Sequence, residues 1–183
     1  MSDRSVHVLV AVTGGIAAYK TADLVSRMIR RGWTVDVVMT PAATEFVRPL
    51  TFEALTGRDV FVEPFAPALR KPEHVALAER PRIAVVAPAT ANTLAKIVHG
   101  IADNLLAAAL LACRKPMLVA PAMNSGMWDA PATRENMKTL AARGVHVIGP
   151  EEGRLACGDV GMGRMSSPEA ILDRVDAILE STP

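Results

Sequence analysis

The stretch VHVLVAVTGGIAAYK at positions 6–20 decides the fold. Val6 to Thr13 is an apolar run with no regular polar alternation, as expected of a strand covered on both faces. Gly14-Gly15 then turns the chain into an amphipathic helix from about Ile16 to Arg30, and Gly32 stops it. Thr34 to Thr40 reads as a second strand, and Pro41 to Thr56 as helical with a break at Pro49. Short apolar strands recur at Arg82–Ala87, Met117–Ala120 and Val145–Ile148, with helices at Asp103–Ala112, Thr133–Ala142 and Pro168–Leu179. Doubly covered strands alternating with helices predict a three-layer α/β domain with a doubly wound parallel sheet.

At 183 residues the chain is expected to form one domain, spanning 1–183, with a full hydrophobic core. Its net charge of +1 gives no reason to expect a nucleic acid or an acidic membrane surface as partner. The polar start MSDRS does not read as a signal peptide, and no apolar run approaches the roughly 18 residues of a membrane helix, so a cytoplasmic location is expected. The end, Ser181-Thr182-Pro183, fits either a natural terminus or a domain boundary. Apolar residues make up 50% of the chain and mean hydropathy is +0.25, so a hydrophobic subunit interface is expected beside an alanine-rich core. Glu63 to Glu73, with three prolines, reads as the most exposed loop.

Strand, Gly14-Gly15 and helix form the geometry that binds phosphate, because backbone N–H groups and the helix dipole point at an anion. Alone, the pair is equally a tight turn. The GxGxxG pattern is absent, and the second strand ends on Thr40 rather than on an acid for a ribose diol, which favours a mononucleotide over a dinucleotide. A second polar loop, with Thr90, Ala91, Asn92 and Thr93, follows the strand at Arg82–Ala87, and strand ends converge on one crevice in this architecture. Loops 14–16, 40–42, 90–93 and 121–124 are expected to line it. Capping of the next helix by Thr90 or Asn92 is compatible with that role.

Two later runs carry the remaining chemistry. APAMNSGMW at 120–128 sets Asn124 between Met123 and Met127 after a buried strand. GRLACGDVGMGRM at 153–165 sets Cys157 among four glycines, in what reads as a mobile flap. The other thiol, Cys113, reads as a buried helical residue, and two such cysteines suggest no disulfide. His7, His99 and His146 have no partner motif, and no metal site is expected.

Taken together, VTGGIAAYK, MTPAATEFV, His74 in HVALA, APATANT, GIADNLL, PAMNSGMW and GRLACGDVGMGRM resemble the homo-oligomeric flavin-containing cysteine decarboxylases. The resemblance covers nearly the whole chain, and the last two runs are its most specific part. One departure is Pro81-Arg82, where family members usually carry Ala-Asp. The resemblance implies a Rossmann-like flavoprotein with FMN as cofactor, a homotrimer with flavin near the subunit interface, and in some members a dodecamer. The nearest members act on phosphopantothenoylcysteine in coenzyme A biosynthesis, and bacterial ones are commonly fused to a C-terminal phosphopantothenate–cysteine ligase, absent from this chain.

The same resemblance assigns roles. FMN would lie against Gly14, Gly15, Ile16, Thr40, Thr90, Ala91, Asn92, Thr93 and Ala122. The flavin takes a hydride from the substrate cysteine to give a thioaldehyde, whose thiocarbonyl accepts the electrons left by departing CO₂. His74 acts as base or electrostatic partner, imidazole being the side chain that titrates near neutrality. Asn124, with Met127, holds the substrate, its neutral amide gripping the carboxylate without over-stabilising it. Cys157 protonates the enethiol during re-reduction. Each has a plainer reading: a surface histidine at a helix start, an asparagine capping a turn, and a spare loop cysteine. Within the family, a peptidyl-cysteine decarboxylase and a non-catalytic regulatory flavoprotein are the competing readings. A flavin prenyltransferase would lack the PAMN and LACG runs.

Overall fold

The computed structural model describes residues 6–62, 73–156 and 158–182. Six parallel strands form the central sheet: β1 (His7–Val12), β2 (Thr34–Met39), β3 (Val60–Phe61), β4 (Ile83–Ala89), β5 (Met117–Pro121) and β6 (His146–Val147). Their order is β3-β2-β1-β4-β5-β6, so the winding reverses between β1 and β4. That is the doubly wound order, and its ligand crevice opens where those two strands end. The expected sheet is present, with β3 as an edge pair too short for sequence periodicity to reveal.

Alternation along each strand divides the core. Val8, Val10 and Val12 of β1 face one layer, together with Val35 and Val37 of β2. There they meet α1 (Ala18–Arg30), α3 (Pro49–Thr56) and α9 (Pro168–Ser181) through Leu24, Phe52 and Ile171. Leu9 and Ala11 face the other layer, with Leu77, Leu94, Leu106 and Leu140. Those leucines belong to α4 (Glu73–Glu79), α5 (Ala91–His99), α6 (Leu105–Ala112) and α8 (Pro131–Ala142). Every residue of β4 is buried, which is why that strand shows no polar alternation.

Four features differ from expectation. First, His7 is partnered: its Nε2 lies 2.9 Å from Asp36 Oδ2, and Arg58 Nε donates to Asp36 Oδ1 at 2.7 Å. Asp36 is 2% exposed, so an acid in an apolar strand needed partners from outside its own run. Secondly, Cys113 is half-buried at the C-cap of α6 rather than inside the helix, and burial pushes its thiol up. Thirdly, the glycine-rich run is strand over most of its length: β7 (Glu151–Arg154) pairs antiparallel with β8 (Val160–Arg164). Fourthly, α5 and the short α7 (Ser125–Asp129) escaped the periodicity reading. Of the expected Glu63–Glu73 loop, 63–72 lie outside the described residues and Glu73 opens α4.

Burial pushes the Asp36 carboxyl up, but the hydrogen bonds and charges of His7 and Arg58 together outweigh it and hold the carboxyl below its ordinary value. A carboxylate depressed in the folded state stabilises the fold above its unfolded pKa, and that contribution is lost as pH falls through the folded value. Asp36→Asn should therefore lower stability by about 2 kcal/mol at pH 7, less than for a fully buried pair because Arg58 can rehydrate. The gap from the parent should close as both proteins are titrated into the acid range. Urea denaturation at neutral and acid pH measures it; a gap of constant size would remove the pairing as its cause.

Candidate active site

The crevice at the ends of β1 and β4 is a cleft of about 490 Å³, within the range of small-ligand sites. Gly14 and Thr40 line one wall, with Ala42 of α2 (Pro41–Thr44) beside them. A Cβ on Gly14 would lie 2.5 Å from that of Ala42, so only glycine lets the two loops meet. Thr90, Asn92 and Thr93 form the opposite wall at the start of α5. Thr90 Oγ1 accepts the Thr93 N–H at 3.3 Å, so it caps α5 while facing the cleft. Thr40 caps α2 in the same way, accepting from Ala43 N.

Two buried threonines hold these walls in place. Thr13 Oγ1 donates to Pro88 O at 2.6 Å and accepts from Thr90 N at 3.2 Å, tying the end of β1 to the loop after β4. Thr21 of α1 donates to Ala87 O at 2.8 Å. A hydroxyl at the end of an apolar strand was the available signal for Thr13. The cleft also takes in Lys96 and Asn104, which sequence reasoning left without a role. Asn104 opens a segment whose apolar pattern pointed to core packing, and Lys96 lies on α5, which the periodicity did not reveal. Asn104 caps α6, and Lys96 pairs with Asp103.

The Asn124 loop adjoins this cleft, for Met127, one turn along, lines it and is half-exposed. Asn124 caps α7, its Oδ1 accepting from Gly126 N at 2.8 Å. Capping engages the oxygen end of the amide, and the donors are on its other end. The loop is clamped from above by β8: Met123 N donates to Gly163 O at 3.0 Å. A Cβ on Gly163 would overlap Met123 O, and its φ of 147° favours glycine independently. This glycine thus serves close approach rather than mobility.

The remaining candidates are dispersed. Gly15 is half-buried and Ile16 exposed at the turn before α1. Ala91 opens α5, and Ala122 donates its N–H to Ala89 O, alongside the β4 loop. None of these four, nor Asn124 itself, lines the cleft directly. His74 is half-buried in the first turn of α4, which packs on α6, and it does not line the cleft either. Cys157 lies outside the described residues. Among the described residues no group of His, Cys, Asp and Glu could hold a metal ion.

A second cleft, of about 350 Å³, lies where α1 meets the hairpin and the start of α9. Lys20 and Arg164 bring cations to it, and Glu151 bonds Arg164 at 3.0 Å. Burial, reinforced by the Arg164 charge, lowers the Lys20 ammonium from its ordinary value. Arg164 follows Gly163, so the hairpin connects this cleft with the Asn124 loop.

A family model described as Flavoprotein matches residues 1–180. The chain belongs to the Flavoprotein family. Among other members it is similar to the coenzyme A biosynthesis bifunctional protein CoaBC of Vibrio parahaemolyticus, 46% identical over 164 residues, 88% of this chain and 41% of that protein. The chain thus spans about two fifths of the length of such curated relatives. A solved cysteine-to-serine mutant of PPC decarboxylase, complexed with pantothenoylaminoethenethiol, is 32% identical, with a TM-score of 0.85 over 97% of this chain and 100% of that one. The FMN-dependent cysteine decarboxylase SpaF is 30% identical, with a TM-score of 0.85 over 96% of each chain. The Flavoprotein match and these superpositions agree with the observed strand order and three-layer architecture.

Proposed function

We propose that this chain is an FMN-dependent decarboxylase that converts 4'-phosphopantothenoylcysteine to 4'-phosphopantetheine in coenzyme A biosynthesis. The observation that carries the reading is the pairing of a hydroxyl-lined cleft at the winding reversal with the capped Asn124 beside it. The residues fit FMN. Gly14 leaves room for close backbone approach, Thr40 and Thr90 offer hydroxyls, and Asn92 and Asn104 offer amides to a ring edge. When bound, FMN supplies a two-electron acceptor for the substrate CH₂–SH and later returns the electrons.

The chain's own residues orient substrate and move protons. Asn124 donates its amide N–H₂ to the carboxylate, and the hairpin clamps the loop that carries it. Oxidation of CH₂–SH to a thioaldehyde places a C=S group β to that carboxylate. The bonding pair released with CO₂ then delocalises onto sulfur instead of forming an unstabilised carbanion. His74 accepts the thiol proton during oxidation, and Cys157 delivers a proton to carbon during reduction of the enethiol. Electrons and protons balance, so the reaction is a net decarboxylation.

Exposed apolar side chains support a homotrimer, extending in some assemblies to a dodecamer. Leu50 is 70% exposed and Val160 74%, apolar surface that contact with further copies would cover. No helix among the described residues is long and apolar enough to cross a membrane. A cytoplasmic site of action and a fused ligase partner belong to the same reading.

Incubation with phosphopantothenoylcysteine carrying labelled carboxylate should release labelled CO₂, and a cysteine-ending peptide should release far less. Preference for the peptide would replace this reading with the peptidyl one, and no release from either would leave a regulatory flavoprotein. In Cys157→Ser, CO₂ release should persist while the product stops at the enethiol. The mutant PPC decarboxylase carrying pantothenoylaminoethenethiol is consistent with such a block in that protein. Mass spectrometry of the variant's product checks it; a full yield of the saturated thiol would dismiss Cys157 as the proton donor.

A further inference from the structure

Among the described residues that line the main cleft, Lys96 is the one charged side chain; the others are glycine, alanine, proline, methionine, threonine and asparagine. Its side chain is 17% exposed, on the second turn of α5, three residues beyond Thr93. Its ammonium lies 2.7 Å from both Oδ1 and Oδ2 of Asp103, in the segment that leads into α6. An ammonium has three N–H donors, so two bonds to Asp103 leave one available to the cleft. Asp103 is the more exposed partner, at 55%, and the Lys96 hydrogen bond holds its carboxyl below the ordinary value. A cation this sheltered, tethered at one side by a solvated acid, interacts more strongly with charge in the cleft than a surface lysine would.

We propose that Lys96 is a positioning residue for charge on the cofactor: tethered by Asp103, it favours the reduced flavin over the oxidised one and so sets the potential at which the substrate thiol is oxidised. The proposal rests on the FMN reading above. Oxidised flavin is a neutral ring, whereas uptake of two electrons with one proton leaves it negatively charged. A fixed positive charge therefore distinguishes the two states, which neutral hydroxyls and amides do only weakly. The phosphate group carries the same charge in both states, so a lysine that merely anchors phosphate cannot alter their ratio.

The test uses the FMN-loaded protein and its two-electron midpoint potential, measured by dye-coupled equilibration, alongside FMN affinity and melting temperature. Lys96→Met should weaken binding of reduced FMN relative to oxidised about tenfold, which is a fall of about 30 mV for a two-electron couple. Lys96→Arg should restore the parent potential. Asp103→Asn, which releases the ammonium toward the cleft, should shift the potential upward. Equal loss of affinity for both oxidation states in Lys96→Met would make Lys96 a phosphate anchor and overturn the proposal. A lower melting temperature with an unchanged potential would make the Lys96–Asp103 pair a structural bridge and overturn it too. If Lys96→Met does not fold, Asp103→Asn decides alone: an unchanged potential overturns the proposal. Failure of the parent protein to bind FMN would overturn both this inference and the flavin reading.

Discussion

Asn124→Asp should leave the fold intact and reduce kcat/KM for decarboxylation by more than about 100-fold, the scale expected when a charge-assisted hydrogen bond is replaced by like-charge contact, about 3 kcal/mol or more. The substitution is chosen for what it preserves. Asn124 Oδ1 caps α7 through Gly126 N, and aspartate caps helices as well as asparagine does. The hairpin clamp at Met123 and Gly163 uses backbone atoms only, so it is unaffected. What changes is the other end of the side chain, where two N–H donors become a carboxylate oxygen facing the substrate carboxylate. Flavin absorbance should therefore match the parent while CO₂ release collapses. Near-normal turnover would reduce Asn124 to a capping residue.

The layered sheet was legible because its cause is local. Strands such as Ile83–Ala89, buried at every residue, show an unbroken apolar run, and helices such as Pro168–Ser181 show a buried stripe of Ile171, Leu172, Val175 and Ile178. The cleft was legible for a related reason: in a doubly wound sheet the residues just after each strand share one edge, so Gly14, Thr40 and Thr90 could be placed together. What stayed hidden depends on distant pairing. Nothing near His7 announces Asp36, which is 29 positions away, and nothing near Thr13 announces Pro88. Lys96 was overlooked because a basic residue on an amphipathic helix ordinarily faces solvent; here the turn after α5 bends back and brings Asp103 to it. The glycines of 153–165 hid a distant requirement in the same way: Gly163 is set by the Met123 backbone, 40 residues earlier in sequence, and Gly161 by Ser125 Oγ.

His74→Asn is expected to bind FMN normally and to lose CO₂ release by about 100-fold to 10,000-fold, the range typical of removing a general acid or base. Asparagine keeps a polar, hydrogen-bonding side chain of similar reach but cannot take up a proton at neutral pH. The first chemical step needs such an acceptor, because a C=S bond forms only if the thiol proton departs as hydride leaves the adjacent carbon. Decarboxylation follows that oxidation, so blocking proton uptake blocks CO₂ as well. The cleft itself should be untouched, since α4 is held by Leu77 in the core and by packing on α6, and His74 is not among the residues lining the flavin walls. Affinity and chemistry should therefore separate: an unchanged FMN dissociation constant with lost turnover. Supplying the thioaldehyde's decarboxylated product, the enethiol, together with reduced FMN should bypass the defect, because Cys157 rather than His74 serves that half of the reaction. A variant that still released CO₂ from phosphopantothenoylcysteine at the parent rate would remove His74 from the mechanism.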